Sequence, residues 1–131
     1  SEDLEADPAA AHRVFELLNE ARVDNGLAPL VWSDTLAAVA AGHASEMYLE
    51  GYFAHESPVT GDVGDRLVAT GVPFSVAGEN LALAVTPTEV HEGLMESPGH
   101  RANILGETFR SAGVAVVAGP FGLMTVQVFT G

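Results

Sequence analysis

The clearest chemical signal in the chain is the run Ser97-Pro-Gly-His-Arg-Ala-Asn-Ile-Leu105. Ser97 is suited to cap a helix by accepting backbone N–H bonds, and Pro98 suits the first helical position, where a missing N–H costs nothing. His100 then sits in the first turn, beside the positive end of the helix dipole, which disfavours imidazolium and favours the neutral, metal-competent ring. Two other segments supply companions: Phe53-Ala-His-Glu-Ser-Pro58 contains His55, and Ala77-Gly-Glu-Asn-Leu-Ala82 contains Glu79. Two imidazoles and a carboxylate can fill three positions of a zinc site and leave the fourth for water. The same trio can do acid–base work without metal. Spacing alone leaves open a third reading, in which each residue has its own separate surface or core role.

Other patterns fail on inspection. His55-Glu56 and His91-Glu92 imitate the H-E-x-x-H zinc-protease helix, but Val59 and Met95 stand where the second histidine belongs. There is no G-x-S-x-G elbow, phosphate loop, dinucleotide fingerprint or EF-hand loop. His12 falls near a helix start and reads as solvated, whereas His43 falls on an apolar stripe and reads as a hydrogen-bonded core histidine. Glu89, Glu92 and Glu96 share one helix face, which reads as solvated and acidic. Asn80 and Asn103 are suited to satisfying backbone groups in turns, and Arg101 to a structural ion pair.

These residues must be positioned by a small set of elements. Asp7-Pro8 opens a helix running to about Asp24, with Val14, Leu17, Leu18 and Ala21 as its apolar stripe. Leu27 to Trp32 reads as a short extended link. Ser33 or Asp34 caps an alanine-rich helix to Glu50, stopped by Gly51. Residues 52–75 read as a long loop with a short helix at Asp65 to Thr70; a loop of this length is usually functional or held by specific contacts. Val76 to Val85 reads as a strand interrupted at Gly78-Glu79-Asn80. Thr86-Pro-Thr-Glu89 reads as a capping box that starts a helix to about Glu96. Ala112 to Ala118 and Leu123 to Phe129 read as a closing antiparallel hairpin. The order implies a compact, layered α+β domain over residues 7–131, with 1–6 as a disordered lead.

Composition sets the outer limits. The chain has 131 residues, enough for one core. Its formal net charge is −13, from 18 carboxylates against five basic residues, all of them arginine. Such a surface repels phosphates, which argues against nucleic acid as a partner, and it attracts cations. There is no cysteine, hence no disulfide framework and no thiolate metal site. No apolar run is long enough to span a bilayer. The opening Ser1-Glu-Asp-Leu-Glu5 reads as a mature N-terminus left after removal of a signal peptide. Abundant alanine and absent lysine suggest a GC-rich bacterial source.

Several motifs in fixed order carry a family resemblance. They are Asn19-Glu-Ala-Arg22, Gly26-Leu-Ala-Pro-Leu-Val-Trp32, Leu36, Ala40 and His43, then FAHESP, AGENLA, SPGHRANIL and Phe109-Arg-Ser-Ala-Gly-Val114. From about Asp7 onward the chain closely resembles bacterial members of the CAP superfamily, also called SCP-like extracellular domains. Its eukaryotic relatives are cysteine-rich secretory proteins, antigen 5 and pathogenesis-related 1 proteins. The resemblance implies a three-layer α-β-α sandwich with an antiparallel sheet between helices. It also implies an extracellular or periplasmic, monomeric domain, with a cleft lined by two histidines and acidic residues where zinc or another divalent cation is held in some members. Carried over, the cleft residues are His55, Glu79 and His100, with Glu96 as the best candidate for a second glutamate. The disulfides and Cys-rich extension of animal members are absent, and with them any channel or toxin role.

Three functions compete. The first is an exported binding or envelope-associated module with a divalent-metal site at His55, His100 and Glu79, and Glu96 as a candidate fourth member. The second is a hydrolase of peptide or cell-envelope material, in which Glu79, His55 and His100 act through a metal-bound water or a His–Glu base. The third is lipid or sterol binding, with Val68 to Val76 or Leu81 to Val85 lining a groove. No organic cofactor is expected, and the partner is a small ligand, a lipid or an envelope component.

Overall fold

Two nine-residue strands, β4 (Ser111–Gly119) and β5 (Gly122–Thr130), form the centre of the molecule. In the computed structural model, which describes residues 3–131, they pair antiparallel from Gly119 opposite Gly122 outward. Gly122 takes φ +116°, a conformation that side chains rarely adopt, so this tight reversal calls for glycine. β3 (Ala77–Ala84) pairs with the other side of β5. β1 (Glu5–Ala6) and β2 (Val31–Trp32) share the outer edge of β4, antiparallel and parallel respectively. The main path across the sheet is β1-β4-β5-β3.

Among the described residues five helices cover the sheet: α1 (Pro8–Asp24), α2 (Asp34–Glu50), α3 (Val63–Ala69), α4 (Pro87–Glu96) and α5 (Pro98–Ile104). Strand alternation decides which helix meets which side chain. Ala112, Val114, Val116 and Phe129 face α1, α4 and α5, where they meet Val14, Leu18, Val90, Leu94 and Ile104. Ala115, Val117, Val126 and Val128 face α2 and α3, where they meet Leu36, Ala40, Met47 and Leu67. Each fully buried Leu, Val or Phe side chain contributes about 1.5–3 kcal/mol to folding. The result is the three-layer α-β-α sandwich expected from the resemblance. The second layer lies unusually close at one point: a Cβ on Gly113 would overlap the backbone of Leu36 and Ala37.

A buried arginine ties the ends of the first layer together. Arg22 is 2% exposed; its Nε donates to Ala28 O at 2.8 Å, and Nη1 donates to Ile104 O and Gly106 O at 2.9 Å each. It has no carboxylate partner within 4 Å among the described residues. Burial, and then the nearby charge of Arg110, lower its pKa from the usual value.

Four expectations are corrected. Glu5–Ala6, expected in a disordered lead over residues 1–6, pairs with Val117–Ala118, and Asp7 N donates to Val116 O at 2.9 Å. An added strand there satisfies backbone groups on the edge of β4; residues 1–2 lie outside the described residues. β3 runs through Gly78-Glu79-Asn80 without interruption, because its ladder to β5 is continuous from Ala77 to Ala84. The short helix starts at Val63, since Asp62 and Asp65 form a reciprocal capping box. At Thr86 only half of the expected box forms: Glu89 N donates to Thr86 Oγ1, while the Glu89 carboxylate takes the hydroxyl proton instead of the backbone one.

Candidate functional site

β3 lies at the end of the sheet path, and two adjacent residues on it reach opposite layers. Glu79 turns toward α3, where Arg66 Nη2 donates to its Oε2 at 2.6 Å. Asn80 turns toward α5: its Nδ2 donates to His100 O at 3.1 Å and to Gln127 Oε1 at 3.0 Å. Asn103, also on α5, donates to Asn80 Oδ1 at 2.9 Å and to Glu79 O at 3.3 Å. The AGENLA and SPGHRANIL segments are therefore bonded to each other. Both asparagines act across elements rather than inside turns. Gly78 permits this approach, because a Cβ there would fall 2.9 Å from Phe109 Cζ and 3.2 Å from Asn103 Oδ1.

The loop that carries His55 is fixed by its own side chains. Ser57 Oγ bonds the Glu46 carboxylate (2.6 Å to Oε2) and accepts from Val59 N and Thr60 N at 3.0 Å. His43, 1% exposed as a core histidine should be, donates from Nε2 to Ala54 O at 2.7 Å. Arg66 adds bonds to Gly61 O at 2.7 Å and His55 O at 3.2 Å. So held, His55 Nδ1 meets Glu79 Oε1 at 2.9 Å. A carboxylate can only accept, so Nδ1 carries the proton and Nε2 of the neutral ring keeps its lone pair. The His55 side chain is 55% exposed while Glu79 is 2% exposed.

His100 comes from the opposite layer to the same region. Its Nδ1 lies 2.9 Å from Ser97 Oγ. Burial, and then the proximity of His55, push its imidazole below the ordinary pKa. The expected direction is found, but with a different cause from the helix dipole. Ser97 occupies the cap position of α5 yet makes no side-chain cap bond, its hydroxyl being turned to the ring.

His55, Glu79 and His100 are thus brought to one edge of the sheet, and Glu96 is not placed with them. Glu96 is exposed and lines a separate depression with His91, Glu92 and Arg101. The difference is angular: one residue along a helix turns a side chain by about 100°, and Ser97 is the residue beside His100. His91 is lowered in pKa, chiefly by burial. Arg101 is exposed and has no ion pair within 4 Å among the described residues. His12 is exposed and packs on Trp32, ring centroids 4.5 Å apart. Of the segments expected to line a lipid groove, Leu81 is buried in the core, while Val68, Val76, Leu83 and Val85 are exposed.

Arg66 is the residue that sequence reasoning missed. It is 7% exposed and pairs with Glu79 across the wall of the site. As one of five arginines, in a helix of seven residues, it has no pattern to announce it. Both oxygens of Glu79 are engaged, and no group of three or more His, Asp or Glu side chains is gathered to hold a metal ion among the described residues. What the site offers a cation is two imidazoles whose Nδ1 atoms are already anchored.

Comparison with known proteins agrees with this architecture. Residues 15–129 match the family described as CAP, cysteine-rich secretory protein family. The uncharacterized protein YkwD of Bacillus subtilis (strain 168) is 38% identical over 120 residues, which are 91% of this chain and 46% of that protein. A crystal structure of an extracellular protein containing an SCP domain, from Bacillus anthracis str. Ames, superposes with TM-score 0.86 at 35% identity, covering 95% of this chain and 41% of that one. An outer surface protein of Borrelia burgdorferi superposes with TM-score 0.87 at 18% identity over 96% of both chains, a likeness of fold alone. The chain spans less than half the length of the two Bacillus proteins. No described helix is long and apolar enough to cross a membrane.

Proposed function

The chain belongs to the CAP, or cysteine-rich secretory protein, family, and from that membership we propose that it is an exported or envelope-associated binding domain whose cleft takes a zinc-like divalent cation at His55 and His100. The observation that carries the reading is the anchoring of both rings through Nδ1, at 2.9 Å to Glu79 and 2.9 Å to Ser97. An imidazole that donates from one nitrogen presents the other as a ligand, and the outer partner sets its orientation and basicity. The Glu79 carboxylate can only accept from His55, and the Ser97 hydroxyl accepts from His100 in the tautomer that leaves Nε2 free to ligate. Glu79 in this reading orients His55 and does not ligate, a change from the ligand role expected of it. Arg66 in turn holds Glu79. With two protein ligands, water or an anionic group of a partner completes the shell, so binding is labile. A bound cation would supply a positive anchor for such a group.

Calorimetric titration of zinc into metal-stripped protein tests this directly. One saturable site is expected, lost in both His55→Ala and His100→Ala and weakened in Glu79→Gln. Saturable binding indifferent to both histidine substitutions, or no binding, refutes it. A second reading, a hydrolase of peptide or envelope material, is supported by the His55–Glu79 contact, which has the form of a base and its orienting carboxylate. It requires turnover that survives chelation and is lost in His55→Ala.

A further inference from the structure

The two edges of the sheet are treated differently. β1 and β2 cover the outer side of β4, whereas β3 pairs on one side only, with β5. Val76 and Gly131 exchange both backbone bonds, so even-numbered residues of β3 turn their N–H and C=O groups to β5 and odd-numbered ones turn them outward. At Glu79 the outward carbonyl is taken by Asn103 Nδ2. Farther along, the outward N–H and C=O groups of Leu83 have no partner among the described residues, and neither do those of Val85 just past the strand. Both residues are exposed, Leu83 by 40%. Proteins ordinarily guard such an edge with charge, proline or a bulge. Leu81-Ala-Leu-Ala-Val85 has no charge and no proline, and the ladder to β5 runs through Ala84 unbroken, in a chain that carries 18 carboxylates.

Donors and acceptors at strand spacing are matched by the backbone of another strand. Beside Leu83 lies a cavity of about 260 Å³, walled by Tyr48, Tyr52, Phe53, Phe121 and Met124, of which Phe53 and Phe121 are exposed. A residue directly opposite Leu83 on an added strand has its side chain on the same face as that of Leu83, and so enters this cavity. Charge selects among strands: a net charge of −13 repels a second copy of the chain and attracts a basic segment. We propose that the free edge of β3 docks an extended, basic peptide as a sixth strand, with one apolar side chain of the peptide seated against Leu83, Phe53 and Phe121. Main-chain pairing at Leu83 supplies affinity and the cavity supplies selectivity. The surface does not depend on a cation at the histidines.

The test is an NMR titration of the metal-stripped protein at neutral pH with acetyl-Lys-Thr-Leu-Thr-Lys amide. Saturable shifts and slowed hydrogen exchange are expected at the Leu83 and Val85 amides. Methylating the leucine nitrogen of the peptide removes its donor to Leu83 O and should weaken binding at least about tenfold. Exchanging both of its lysines for glutamate should weaken binding as well. Leu83→Lys and Phe121→Ser, both at exposed positions that leave the fold intact, should each weaken it by about tenfold or more. His55→Ala should leave it unchanged, so failure of zinc to bind refutes the cation reading alone. Absence of saturable shifts overturns the proposal. So does equal binding of the methylated or the glutamate peptide, or binding that survives both protein variants. Shifts of the same amides with protein concentration, before peptide is added, assign the edge to a second copy and overturn it too.

Discussion

Replacing Arg66 with methionine should reveal how strongly the site depends on one hidden charge. Arg66 and Glu79 are 7% and 6% exposed, with 2.6 Å between their paired atoms. Removing one member of a buried pair leaves the other charge uncompensated, at a cost of about 3–5 kcal/mol. The bonds from Arg66 to Gly61 O and His55 O add less, because neither carbonyl belongs to a buried residue and water can replace the donor. A domain of this size has about 5–15 kcal/mol of stability in all, so the variant remains folded but weakened. Urea unfolding at neutral pH, followed by circular dichroism, should show the deficit directly. Adding Glu79→Gln to Arg66→Met removes the stranded charge and should recover part of the loss. A deficit below about 1 kcal/mol for Arg66→Met at neutral pH, or a double variant no more stable than the single, would refute the reasoning.

Two glycines should respond in opposite directions. Gly42→Ala, in the interior of α2 with open space around its Cβ, should gain about 1 kcal/mol in urea unfolding, whereas Gly113→Ala, pressed against the α2 backbone, should unfold at markedly lower denaturant. His91 and His100 have lowered pKa values through burial, so the unfolded chain binds protons first and stability should decline as pH drops below about 6.5. His91→Gln should make that decline shallower in thermal melts across pH 7 to 5. Arg22→Met strands the Ile104 and Gly106 carbonyls, at about 1–3 kcal/mol for each that water cannot reach. It should also weaken zinc binding in calorimetry, because it loosens the end of the helix bearing His100.

The elements were largely legible because their signals are local. Asp7-Pro8 and Thr86-Pro87 start helices where caps and prolines place them, and alternation in β4 and β5 reads directly as two buried faces. The glycine of AGENLA misled, since it looks like a break in a strand when its role is to admit Phe109 and Asn103. The convergence of His55, Glu79 and His100 was available only through the family resemblance. It rests on contacts such as Asn80 with His100 O, which link residues far apart in sequence and leave no periodic trace. Glu96 falls outside the cleft while its neighbour Ser97 meets His100 for a related reason: adjacent residues at a helix junction point in different directions, and local signals define the turn to no better than one residue.

The position of β5 has a kinetic consequence. It is the last strand in the chain, yet it sits between β4 and β3 and, among the described residues, is the only strand that β3 pairs with. A nascent chain that has delivered β3 has no ladder to receive it, and Glu79 has no fixed backbone until residues 122–130 arrive. The site should therefore form late and in a single step with the sheet. Long-range closure of this kind slows folding and leaves the apolar faces of α1 and α2 without their central strand in the meantime. Arrest of synthesis just short of β5 should yield a chain susceptible to proteolysis throughout, with no folded remnant around the histidines.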